Sequence, residues 1–204
     1  VSGLKENNIN GTGRTLEFLI NTNKDNKAFK LSTSDKFFIN SSVDHGYSLN
    51  YKENDFSKSQ SYKLNTFSLD TSFSYKLSEY TNHRISFGYS LKEYLVTNSN
   101  SASDNIKKSA GDSISFNIKN EITRNTLNSY IKPSNGNFIS FSNFFETPSS
   151  SNNGFIQNLI TGKKYYSIDQ NIFSAQGKIG NIFSLNDNEI LSDNKFSLGG
   201  RWLR

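Results

Sequence analysis

Few side chains in this sequence are equipped for chemistry. His45 and His83 are the only histidines, and there is no cysteine. Without cysteine, disulfides and thiolate metal sites are excluded. The two imidazoles lie in separate segments, at no metal-ligand spacing and outside any Ser-His-Asp arrangement. Each reads as a structural strand histidine, and enzymatic chemistry is not indicated. Asp70, Lys76, Arg84 and Lys92 fall on the polar positions of alternating segments. They are either charges lining a wet interior or part of a solvated face.

The last stretch, Lys195-Phe196-Ser197-Leu198-Gly199-Gly200-Arg201-Trp202-Leu203-Arg204, is different. Adjacent glycines permit a tight backbone reversal, and an aromatic and an aliphatic residue then sit between two arginines. A loop tip both basic and apolar is either a surface turn or an element folded back into a cavity with polar walls. The strands before it must decide.

Those strands are legible as alternation. Phe67, Leu69, Thr71, Phe73, Tyr75 and Leu77 occupy one face, with Ser68, Asp70, Ser72, Ser74 and Lys76 on the other. After a turn around residues 78–82, Ile85, Phe87, Tyr89 and Leu91 alternate with Arg84, Ser86, Gly88, Ser90 and Lys92. A period of two held for about ten residues matches the ~9–11 that cross a bilayer at a tilt. Similar runs are expected at 15–21, 28–33, 43–53, 112–124, 137–146, 155–168 and 172–184, after an opening strand tail at 1–8. That makes nine strands after the tail. The run at 155–168 has no clear facing. Residues 97–111 read as an exposed Ser/Asn/Lys-rich loop.

Connections near residues 11, 40, 80, 134 and 169 are short. Those near 58, 104, 150 and 190 are longer or Ser/Asn-rich, with Lys24–Lys27 a short exception among them. Such asymmetry belongs to an outer-membrane barrel. Hydrophobic content of 33% is lean for a soluble core, whereas a barrel with a wet lumen needs one apolar face per strand. A soluble β-sandwich would bury the same rows inside. Strand length, loop alternation and the lack of helical periodicity favour the membrane barrel. Tyr51, Tyr75, Tyr89 and Tyr165 are candidates for its interfacial girdles. The net charge of +5, with acidic residues interspersed, does not indicate nucleic acid. The sequence contains no Met, so residues 1–204 are expected to be an internal piece of a longer chain.

Three segments carry a resemblance. Gly3-Leu4-Lys5-Glu6-Asn7-Asn8-Ile9-Asn10-Gly11-Thr12-Gly13 resembles the strand end and turn before the third strand of BamA-type assembly-factor barrels. Thr123-Arg124-Asn125 through Pro133-Ser134-Asn135-Gly136 is similar to that family's Asp-Thr-Arg-Asp…Pro-Thr-x-Gly turn, with Asn125 in place of the Asp. Phe196 to Arg204 resembles the start of the family's sixth extracellular loop motif, (Val/Leu)-Arg-Gly-Phe, ending at its Arg.

The resemblance implies an all-β, antiparallel up-and-down transmembrane β-barrel of roughly sixteen strands, of which about nine lie here. Residues 1–204 would be a partial barrel domain ending inside the sixth loop. It also implies upstream POTRA repeats, a bacterial outer-membrane location, and a non-enzymatic role in inserting other barrels. Partners would be the bilayer, unfolded β-barrel clients and accessory assembly lipoproteins, with no cofactor and no nucleic acid. Gly199, Gly200, Trp202, Leu203 and Arg204 would form a loop tucked into the lumen, its Arg pairing with acids on later strands. Arg124, Pro133 and Gly136 would mark a periplasmic turn. A two-partner secretion or TamA-like translocator shares the loop motif; a passive porin-like channel would lack it.

Overall fold

The computed structural model describes residues 2–39, 42–148, 154–186, 190 and 194–196. Period-two alternation becomes strands: β1 (Ser2–Glu6), β2 (Thr15–Thr22), β3 (Asn26–Ile39), β4 (Val43–Asp55) and β5 (Tyr62–Ser78) come first. They are followed by β6 (Thr81–Val96), β7 (Gly111–Asn125), β8 (Gly136–Glu146), β9 (Phe155–Ile168) and β10 (Asn171–Ser184). Among the described residues they form one ten-stranded sheet in sequence order, every adjacent pair antiparallel. This is the expected opening strand plus nine, an up-and-down barrel wall that does not close on itself.

Register sets the two faces. Phe29, Tyr51, Phe67, Leu91 and Ile114 are successive Cα partners across β3–β7, forming one apolar row. Two residues further from the short turns, the same face carries Lys27, Glu53, Asn65, Glu93 and Asp112. There Lys27 pairs with Glu53 at 3.2 Å, and Asn65 donates to Glu93 at 2.9 Å. The apolar band therefore stops at one register step. The 17 residues of β5 and 16 of β6 exceed the span needed for a bilayer, and three residues of each, 62–64 and 94–96, lie beyond this polar row.

The polar face is the concave one. A single cavity of about 460 Å³ is lined by Lys5 of β1, Ser32, Ser48, Asp70 and Arg84 of intervening strands, and Phe144 of β8. Side chains seven strands apart can share a cavity only on the inside of a curved sheet. The apolar face is convex and open, with Leu69, Phe116 and Ile139 each about half exposed.

Four sequence expectations need correction or completion. The loop at 97–111 is not wholly exposed. It contains a short helix, α1 (Asp104–Lys108), and buries Ala102 and Ile106 against Tyr62, Leu64 and Tyr94. Beyond the polar row, those three sit on the concave face, and their aromatic and aliphatic surface requires a cover. Tyr89 lies mid-face opposite Leu69 rather than at a strand end. Tyr165, paired through β9 with Ser174, lies on the concave face. Only Tyr51 and Tyr75 of the four stand near the edges of the apolar band. Finally, β9 acquires a facing: Ile156, Asn158 and Ile160 oppose Phe145, Asn143 and Phe141 on the convex side. Its pattern is weak because Asn158 lies among apolar residues outside, while Phe155 and Leu159 lie inside. Asn143, Asn158 and Asn181 satisfy one another in a ladder, at 2.7 and 3.0 Å.

Candidate functional site in the barrel lumen

Small polar residues dominate the concave face, which leaves room for a few charges. Asp70 on β5 accepts hydrogen bonds from Asn50 at 3.0 Å, Ser68 at 3.2 Å and Ser48 at 3.4 Å. Gly88 stands beside it: a Cβ there would come within 2.5 Å of the side-chain oxygens of both Asp70 and Asn117. Glycine at this position lets β5, β6 and β7 keep their polar side chains in one layer. Arg84 and Lys119 line the same cavity.

Nearer the long loops the concave face carries a buried ion pair. Lys92 of β6 and Glu146 of β8 are both buried, with Nζ 2.7 Å from Oε1. They lie on opposite sides of β7, so the pair bridges three strands. The bridge is possible because β7 presents Ser113 and Ser115 there, small side chains that leave a channel between their neighbours. Both serine hydroxyls are buried without a hydrogen-bond partner among the described residues. Two buried charges are costly unless mutually compensated, so this pair ties β6 and β8 into one arrangement.

The third component follows β10. Leu185 donates its backbone N–H to Gly154 at 2.8 Å, closing the end of the β9–β10 hairpin. Asn194 to Phe196 lie against the concave face. Gln157 donates to the Asn194 carbonyl at 3.4 Å. The Phe196 ring lies so close to Gly180 that a Cβ there would sit 2.5 Å from it. Asn194 and Lys195 complete a cavity of about 410 Å³ with Phe144, Phe155 and Leu159.

Of the predicted site residues, Gly199, Gly200, Trp202, Leu203 and Arg204 lie outside the described residues. Gly136 opens β8 at φ +110°, and a Cβ there would lie within 2.2 Å of the Thr126 carbonyl oxygen. Only glycine fits that crossing. Pro133 lies in the connection 126–135, which is organised by Asn128: its side-chain oxygen accepts the N–H groups of Ser134 and Asn135 at 3.0 and 3.1 Å. Arg124 is the last residue but one of β7, on the convex face, where its charge acts on Tyr80 of the β5–β6 turn. Sequence reasoning singled out Lys92 but missed its partner. Glu146 was findable in principle, since it continues the polar parity of β8 at the strand's last residue.

The histidines are not brought together. His45 is buried on the convex face, stacked 4.5 Å from Phe73 and within 3.0 Å of the Thr71 hydroxyl. His83 lies 2.7 Å from the Tyr75 hydroxyl and 3.0 Å from Asn120.

The Omp85 superfamily domain matches residues 8–204. A crystal structure of BamA from Haemophilus ducreyi lacking POTRA domains 1–3 has the same fold, with a TM-score of 0.83 at 18% identity. The match covers 98% of this chain and 41% of that one, so the chain spans less than half the length of that protein. No match is found among curated protein sequences. With the superfamily domain extending over nearly every residue and the same barrel wall beneath it, the chain belongs to the Omp85 superfamily.

Proposed function

We propose that this chain is part of the barrel of an outer-membrane assembly factor, which folds other β-barrel proteins and inserts them into the outer membrane of a bacterium. The supporting observation is the return of the chain after β10. Phe196 covers Gly180 on the concave face three residues before the Gly199-Gly200 pair. That placement favours a tip carried into the lumen, where the Arg204 guanidinium must meet a carboxylate to offset its desolvation. The superfamily and the likeness to a BamA barrel support the same reading. In it, the apolar convex face meets lipid, POTRA repeats precede the barrel, and partners are unfolded β-barrel clients and accessory assembly lipoproteins. The chemistry is non-covalent: an open strand edge can template an incoming strand by β-augmentation.

The test uses the full-length protein carrying Arg204→Ala in cells depleted of the native copy. The expected result is lost heat-modifiability of the protein on gels and reduced accumulation of folded outer-membrane barrels. Normal migration together with normal client levels would remove the role of the loop. Loss confined to one dedicated secreted partner, with bulk barrels unaffected, would instead identify a two-partner secretion or TamA-like translocator.

A further inference from the structure

Two cavities on the convex face meet end to end and differ in chemistry. Toward the short turns, a cavity of about 240 Å³ is walled by Arg14, Thr33, Asp35, Phe38, His45 and Tyr47. Arg14 Nε binds Asp35 Oδ2 at 3.0 Å, and its side chain is 60% exposed. This leaves the terminal N–H donors of the guanidinium for a further anion. The rear wall is held by His45, with ring centroids 4.3 Å from Phe38 and from Tyr47. Toward the long loops, an apolar groove of about 530 Å³ runs along Leu16, Leu31, Leu49, Leu69 and Phe87. Thr33 and Tyr47 line both spaces, so the two are continuous.

This is the outline of an amphiphile. We propose that the convex face of β2–β6 binds one phospholipid of the periplasmic leaflet. Its phosphoethanolamine head lies against Arg14 and Asp35, and an acyl chain lies in the groove above. The proposal rests on the membrane reading given under Proposed function. Dimensions agree with it. From the His45 row to the polar Glu53 row is eight residues of β4, or about 20 Å along the membrane normal at a ~40° strand tilt. The Arg14–Asp35 pair therefore falls at the opposite edge of an apolar band ~25 Å tall, where headgroups lie. One cation beside one carboxylate complements a head bearing both charges, and the primary ammonium of ethanolamine can donate a hydrogen bond to a carboxylate that the quaternary ammonium of choline cannot. A purely anionic head would meet Asp35 at close range.

The experiment is native mass spectrometry of the full-length protein released from nanodiscs containing equal phosphatidylethanolamine, phosphatidylglycerol and phosphatidylcholine of identical acyl chains. The wild type is expected to retain phosphatidylethanolamine about tenfold over the other two, the scale of a charge-assisted contact. Arg14→Gln removes the phosphate contact and Leu49→Trp fills the groove without touching the ion pair; each is expected to abolish that preference. Ile179→Trp, elsewhere on the convex face, is expected to leave it intact. Equal retention of all three lipids, preference for phosphatidylglycerol, or an unchanged Leu49→Trp variant would overturn the proposal. If Arg14→Gln fails to fold, Leu49→Trp decides alone. A heat-modifiable band from the same nanodiscs separates the two levels: its absence defeats the membrane reading, and its presence without lipid preference defeats only this inference.

Discussion

Lys92 and Glu146 form an ion pair at 2.7 Å across the width of an intervening strand, both buried at 9% and 3% exposure. Removing either partner leaves the other charge buried without this counter-ion. Lys92→Ala or Glu146→Ala in the full-length protein is expected to cost about 3–5 kcal/mol. The double replacement Lys92→Met/Glu146→Leu is expected to be near neutral. Urea unfolding midpoints followed by tryptophan fluorescence in detergent measure all three, and a double-variant loss equal to the sum of the two single losses would show no coupling.

Gly136 and Gly177 make opposite predictions from the same residue type. Gly136→Ala forces a side chain into φ +110° and against the Thr126 carbonyl, at roughly 1–3 kcal/mol for the backbone alone. Gly177, mid-strand in β10, has nothing within 4 Å of a Cβ position. Gly177→Ala is expected to be stabilising by about 0.5–1 kcal/mol. The sign of the difference in unfolding midpoint is the readout.

The loop 56–61 is expected to loosen in acid. Asp55 accepts the Ser57 N–H at 2.9 Å and pairs with Lys63 at 3.0 Å. Hydrogen bonds from Ser57, then from Lys63, hold its pKa at about 2, below the ordinary 3.8. A depressed carboxyl contributes stability in full above its unfolded value and loses it as pH falls toward the folded one. Hydrogen exchange at Ser57 should therefore rise between about pH 4 and pH 2 beyond its intrinsic rate. Asp55→Ala, which removes the acceptor, should exchange rapidly at every pH, and a pH-independent wild type would contradict the assignment.

Gly180 reports on the returning chain. Its missing side chain admits the Phe196 ring, so Gly180→Val is expected to displace the segment while leaving the β9–β10 pairing intact. Protease cleavage after Lys195 should increase several-fold in the folded full-length protein, since accessibility tracks local opening. Unaltered cleavage would place the contact among those that can be lost without consequence.

What one strand pairs with is readable in the sequence. Phe67 to Leu77 alternates so regularly that its facing, its hairpin with Ile85–Leu91 and the apolar band all follow from the period of the pleat. The opening strand plus nine and the short-turn side belong to the same local grammar. Local information failed at β9, where Asn158 outside and Phe155 inside blur the alternation until register with Asn143 and Asn181 resolves it.

Sequence alone thus determined the all-β class and the strand order, because alternation and turn chemistry act between residues close along the chain. Tertiary structure decided everything that depends on curvature and on distant partners. It made the polar face concave and brought Lys92 to Glu146 over 54 positions. It laid Ala102 and Ile106 on Tyr62 and Tyr94, and it returned Phe196 to Gly180. Pleat periodicity states that a side chain has a face; only the closing arc of the sheet states what stands opposite it.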